Sequence, residues 1–250
     1  MSPEKLFRYG ALHPEPPESG VVMNPWKKLP KKAPFVLEND KKEIFQYNLK
    51  AKFEHKINLD TLPIPYVGDV FHAKIVLLQL NPGSDFPPGF SKPNESIECV
   101  TFPSLKEDKL KNLLHTYGKF PFYKLNPDYR ITGGFRYWSR LFATLIKNEK
   151  DYKKIAKNIC CIEFFPYHSK NFRSLHTILE PQRYSFYLLE KAIERKAMII
   201  LLRGEKEWRS AVKKLGRNYF KPRSTRNPIL SERNFSKQQF QKIQSLLRNK

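Results

Sequence analysis

Cysteine, acidic residues and long apolar runs are all scarce in this chain, and each scarcity removes a class of protein. The three cysteines, Cys99, Cys160 and Cys161, form neither an even framework nor a paired Cys-x-x-Cys set. That excludes a disulfide-stapled secreted domain and fits a reducing compartment. Three thiols also fall short of a four-thiolate iron–sulfur cluster. No segment approaches the ~18 consecutive apolar residues of a membrane span. The first residues, with Glu4, Lys5 and Arg8 and no apolar run behind them, carry no leader signature, so a soluble cytoplasmic monomer is expected. No carboxylate–histidine cluster has metal-ligand spacing, so neither metal nor cofactor is expected. The acidic deficit is the largest: 24 Asp and Glu stand against 46 Lys and Arg, a net charge of +22. A surplus of that sign attracts phosphate and points to a polyanionic partner. Charge alone does not separate DNA from RNA or from an anionic membrane surface.

What is present reads as one domain with an extension. With 250 residues, 40% of them hydrophobic, the chain is long enough for one sizeable core. Residues 1–65 are rich in Pro and Lys and read as an N-terminal arm packed on or flanking the domain, with one short element near residues 41–52. Residues 66–250 form the α/β domain. Its first strong element, residues 73–80 (Ala-Lys-Ile-Val-Leu-Leu-Gln-Leu), is a buried strand stopped by Asn81-Pro82-Gly83. An apolar helical stripe follows at 135–147, then a strand at 159–165, a helix at 184–196 and a strand at 197–202. A helix at 205–215, a short strand at 218–221 and a last helix at 236–247 complete the pattern. Strands alternating with helices predict three α/β/α layers around a central, mainly parallel four-stranded sheet.

In such a sheet the ligand site lies outside the carboxyl ends of the strands. Three segments gain interest from that rule: residues 81–85, 166–170 and 223–231. On its own, Asn81-Pro82-Gly83 reads first as an ordinary strand-ending turn. Phe86 and Phe90 after the first strand, and Tyr167 and His168 after the second, are placed to stack on a base, although any of them also suits ordinary packing. Between Ile162 and Phe164, Glu163 is a half-buried carboxylate that needs a partner, whether an ion pair or a ligand. Cys160 and Cys161 lie inside a buried strand and read as small hydrophobes.

Tyr66-Val67-Gly68-Asp69, the strand ending in Asn-Pro-Gly, the second strand and Asn227-Pro228-Ile229-Leu230-Ser231, taken in that order, resemble the uracil-DNA glycosylase superfamily. The likeness spans roughly residues 64–247. It is closest to the mismatch-specific and single-strand-selective branches, whose first motif reads G-x-N-P-G and whose last reads N-P-S-G-L-S or H-P-S-P. Gln79 stands where the first motif begins with Gly, and residues 227–231 are one residue shorter than N-P-S-G-L-S. The resemblance implies hydrolysis of an N-glycosidic bond in DNA. Asn81 would hold the attacking water, because an amide positions but does not act as a base, and Asp85 would help deprotonate it or serve as a loop carboxylate. Arg223, Arg226, Asn227 and Ser231, with Lys170 after the second strand, would contact DNA. The family's base-reading Asn is matched by Glu163, with His168, Phe86 and Phe90 beside the base. A carboxylate accepts hydrogen bonds from an exocyclic amine, which points to a cytosine derivative, including bulky phage-modified cytosine, over uracil. Repair and defence against modified DNA both suit such an activity. A non-catalytic nucleic-acid-binding protein is the alternative, and a nuclease the less supported third.

Overall fold

A computed structural model describes residues 22–83 and 102–248. Its centre is a four-stranded sheet: β1 (Tyr66–Gly68), β2 (Ile75–Gln79), β3 (Ile159–Glu163) and β4 (Met198–Leu201), in the order β1-β3-β2-β4. The described helices are α1 (Lys41–Lys50), α2 (Pro103–Leu113), α3 (Gly133–Leu141), α4 (Glu149–Asn158), α5 (Glu180–Glu194), α6 (Glu205–Ala211) and α7 (Lys237–Arg248). The fold is therefore mixed α/β.

The expectation of a mainly parallel sheet is corrected to a mixed one. β2 is parallel to both β3 and β4, but the edge strand β1 runs antiparallel to β3, pairing Tyr66 with Ile162 and Gly68 with Cys160. Three residues are too few to show an alternation, so β1 gave no strand signal. Its last position has a strict steric requirement instead. Gly68 has φ +96°, and a Cβ there would meet the Ile159 carbonyl oxygen at 2.5 Å. Its N–H donates to Asn112 Oδ1 at 2.9 Å, and Asn112 Nδ2 donates to the Pro121 carbonyl, also at 2.9 Å, so α2 holds the sheet edge. Gly68→Ala is expected to lower stability by about 3 kcal/mol, through both clash and backbone strain. Gly216→Ala, also at positive φ (+53°) but with open space around it, should cost only about 1 kcal/mol. Denaturant midpoints of the two variants check the difference, and equal losses would contradict it.

The central strands are buried along their whole length because their β-branched and leucine residues face cores on both sides. Val76, Leu78, Cys160, Ile162, Ile199 and Leu201 face one apolar cluster, which takes in Ile44 of α1 and Leu188, Leu189 and Ala192 of α5. Ile75, Leu77, Ile159, Cys161, Met198 and Ile200 face the other, with Trp138 of α3, Ile155 of α4 and Ile243 of α7. Burial pushes the Cys160 thiol up to about 12 and Cys161 well above its ordinary value, so both remain protonated.

Trp26, Val36, Leu37, Ile57 and Leu59 of the N-terminal segment are buried in the first core, and Ile64 in the second. Asp40, just before α1, accepts a 2.7 Å hydrogen bond from the hydroxyl of the buried Tyr167. Burial raises its carboxyl to about 6 against that bond, with the charge of Glu180 adding to the rise. Tyr167, a stacking candidate by position, is thus a core residue tied to the N-terminal segment.

Helix starts follow local chemistry. Thr132 Oγ1 accepts from Phe135 N at 3.1 Å to begin α3. Asn148 and Asp151 cap α4 reciprocally, as Ser236 and Gln239 do at α7. The expected strand at 218–221 is corrected to a single parallel bridge, Ile200 to Phe220, beside β4. That bridge nevertheless sends the chain out at the carboxyl end of the sheet, where residues 223–231 follow.

Candidate functional site

Parallel pairing aligns the carboxyl ends of β2 and β3 residue for residue, so Gln79 lies directly beside Glu163. Alternation turns both toward the face that carries Leu77 and Cys161. Each is almost fully buried, Gln79 at 7% and Glu163 at 4% exposure. Gln79 Nε2 donates to the Tyr137 hydroxyl at 3.2 Å, which brings α3 over the strand ends. Glu163 Oε1 accepts a long contact from the Cys161 thiol at 3.7 Å, and Oε2 is buried with no hydrogen-bond partner among the described residues.

An orphaned carboxylate oxygen is costly, and the carboxyl responds by holding its proton. Desolvation raises Glu163 to about 7, against the opposing pull of the Lys124 charge, the Cys161 hydrogen bond and the Arg203 charge. Tyr137 is raised to about 12, again mainly by desolvation. Lys124 comes from the turn at Tyr123–Leu125 and Arg203 from the end of β4. Gly204 follows at φ +79°, where a Cβ would meet Leu80 Cδ2 at 2.4 Å, so the backbone after β4 closes tightly on the end of β2.

The raised carboxyl makes stability depend on pH. Between about 4.5 and 7 the unfolded chain has released this proton while the folded chain keeps it, so stability falls as pH rises through that window. The loss is complete above about 7 and amounts to about 3 kcal/mol. Glu163→Gln should remove that component, so that in thermal melts the fall between about pH 6 and 7 disappears while the one that Asp40 gives below about 6 stays. An unchanged slope would contradict the assignment.

Asn81, two residues beyond Gln79, is half-buried. Its Nδ2 donates to both the carbonyl and the hydroxyl of Ser169, each at 3.2 Å, so the loops after β2 and β3 are joined through it. His168 is fully buried. Its Nδ1 lies 2.8 Å from the Gly83 carbonyl oxygen and its Nε2 lies 3.1 Å from that of Leu62. Both ring nitrogens therefore face backbone carbonyls, and the side chain braces the Asn81 turn from beneath. Lys170 is exposed next to Ser169. Asp85, Phe86 and Phe90, the remaining residues expected after β2, lie outside the described residues, as does Cys99.

The basic loop is built around a residue that the motif comparison overlooked. Asn234, 6% exposed, donates to the carbonyls of Asn227 and Ile229 at 2.7 and 2.8 Å and accepts from Ser224 N through Oδ1. Leu230 is buried and its N–H donates to the Leu141 carbonyl at 2.9 Å; Thr144 Oγ1 donates to the Leu230 carbonyl. The loop is thereby fastened to the end of α3, one turn beyond Tyr137. Arg223, Arg226 and Asn227 are exposed on it, and Ser231 is half-buried with its hydroxyl 3.5 Å from the Ile229 carbonyl.

Asn81, Glu163 and His168 thus gather at the ends of β2 and β3, with Lys170 beside them. Gln79, Tyr137, Arg203, Lys124 and Ser169 complete the constellation without having stood out in the sequence as site residues. Among the described residues no group of three or more His, Cys, Asp or Glu side chains is placed to hold a metal ion, and no helix is long and apolar enough to cross a membrane. No protein-family model, curated protein or solved structure matches this chain.

Proposed function

We propose that this chain is a DNA glycosylase, a cytoplasmic monomer of three α/β/α layers related to the uracil-DNA glycosylase superfamily. It hydrolyses the N-glycosidic bond of a damaged or modified pyrimidine flipped out of DNA. The observation that carries the reading is the buried, unpartnered Oε2 of Glu163 beside Gln79 at the carboxyl ends of two parallel strands. A polar pair of this kind, sunk in an apolar wall, suits reading the edge of a flat, hydrogen-bonding base.

The chemistry follows from the groups present. Water attacks C1′ of the sugar, the C1′–N1 bond breaks with its electron pair leaving on the base, and the proton that the water loses ends on the departing base. Asn81 Oδ1 accepts a hydrogen bond from that water while Nδ2 is held on Ser169. The positive charges of Lys124 and Arg203 favour the negative charge that develops on the departing base. Arg223 and Arg226, projecting from the loop pinned to α3, take phosphates, and Lys170 adds a further contact. In its ionised form Glu163 accepts only, which suits the exocyclic amine of a cytosine derivative. In its neutral form it also donates, which additionally admits the uracil edge.

The second reading, a nucleic-acid-binding protein without catalysis, draws on the engagement of the Asn81 amide nitrogen by Ser169, a contact that equally serves to shape a loop. Product analysis separates them. A glycosylase converts its substrate to an abasic site that breaks only after alkali, a nuclease breaks the backbone directly, and a binding protein leaves the DNA unchanged.

A further inference from the structure

A second cluster of positive charge lies at the opposite end of the sheet. A cleft of ≈ 720 Å³ opens at the amino ends of β2 and β4, and Lys74, Arg195, Lys196, Arg217 and Lys242 contribute to its walls. Among the described residues, none that lines it is acidic. The volume falls in the range of small-molecule and cofactor sites.

Two features go beyond a generally basic surface. Arg195 donates through Nη2 to the Ala73 carbonyl at 2.8 Å, and its Nη1 is buried with no hydrogen-bond partner among the described residues. The Arg195 side chain lines the cleft, where the charge of its guanidinium suits an anionic acceptor. Burial lowers its proton affinity, and the negative charge of Asp69 opposes that. The Asp69 carboxylate already accepts from Phe71 N and His72 N at 3.1 Å each. Lys196 adds the second feature. It lies two residues beyond α5 at φ +60°, and the Ala197 N–H reaches back to the Ala192 carbonyl at 3.0 Å. Glycine is the usual residue at such a helix end, yet here a cation is kept in the cleft wall. On the far side, Lys242 Nζ sits 5.9 Å from the centre of the Phe220 ring, which places an aromatic surface beside the charges.

We propose that this cleft binds a phosphate ester of nucleotide size, with its phosphate at Arg195 and its remaining negative charge met by Lys196, Arg217 and Lys242. The site is separate from the strand ends that carry Gln79 and Glu163, and it does not rest on the glycosylase reading. The phosphate has two possible sources, a free nucleotide or the backbone of a nucleic-acid strand.

Titration calorimetry at fixed salt with a nucleoside 5′-monophosphate and with a short single-stranded oligonucleotide tests it. The double variant Arg217→Glu/Lys242→Glu changes exposed side chains only and leaves the Ala73 contact of Arg195 intact. At least one ligand should bind saturably and lose about tenfold or more in affinity in that variant. The control Lys28→Glu/Lys50→Glu, equal in charge change at exposed residues that do not line the cleft, should bind within about twofold of the parent. Tight binding of the monophosphate assigns the free nucleotide, and binding of the oligonucleotide alone assigns the strand. Absence of saturable binding by either ligand, or equal losses in the cleft and control variants, would overturn the proposal.

Discussion

Replacing Asn81 by alanine is expected to slow base release by about 10²–10³-fold, the cost of losing one fixed group that orients a reactant or its charge. Affinity for DNA should stay within about threefold, because phosphate contacts carry most of it. Single-turnover release rates and salt-matched binding isotherms measure the two separately. The local structure sharpens the expectation. Asn81 Nδ2 is bound to the carbonyl and hydroxyl of Ser169, so the amide has one orientation and presents Oδ1. Ser169→Ala removes only the hydroxyl partner and should cost less, about tenfold, by loosening that orientation. A large loss of DNA affinity in Asn81→Ala, with no change in the rate for bound DNA, would make Asn81 a loop-shaping residue and favour the binding-protein reading.

Glu163 is expected to give the second large effect, and one that depends on pH. With a carboxyl near 7, the parent protein changes from donor-plus-acceptor to acceptor-only across the neutral range. Release of uracil should fall as pH rises through about 7, whereas release of a cytosine derivative should persist, since an ionised carboxylate still accepts from the exocyclic amine. Glu163→Ala should lower both by about 10²-fold or more through loss of base reading. Glu163→Gln is a permanent donor and acceptor of nearly the same shape, and should retain release while abolishing its change near pH 7. A structural carboxyl remote from the base would move stability with pH but would leave the base preference unaltered. Robust uracil release above pH 7, indifferent to Glu163→Gln, would contradict this role.

The sequence revealed the frame of the sheet because its inner strands are buried on both faces. Residues 75–79, 159–163 and 198–201 are short apolar runs, and such runs declare themselves without reference to tertiary contacts. The missed pieces are defined by their neighbours instead. β1 owes its existence to a glycine that lets its backbone approach Ile159, and α2, with few apolar positions, is tied to the sheet edge by Asn112 bridging Gly68 and Pro121 and to the two cores by Leu105 and Leu113. Helix α3 stops at Leu141, although the apolar stripe continues to Leu145. The same division applies to the site. Asn81 and Glu163 were legible because they interrupt strand ends with polar side chains. Tyr137 was hidden inside a helical apolar stripe, and only the fold shows its hydroxyl turned to Gln79. Arg203 and Lys124 are ordinary cations in a chain rich in them, and their effect on Glu163 comes from placement alone. His168 carries the opposite lesson: its position after β3 suggested a base contact, but burial and two facing carbonyls make it a brace for the Asn81 turn.

The most direct test of the central claim is mass detection of free bases after incubation of the purified chain with duplex and single-stranded DNAs carrying uracil, damaged pyrimidines and modified cytosines. The account predicts release of a free pyrimidine base, with one alkali-labile abasic site formed for each base released and no added metal required. Tight DNA binding with no base released from any substrate, or strand breaks without a preceding abasic site, would contradict it.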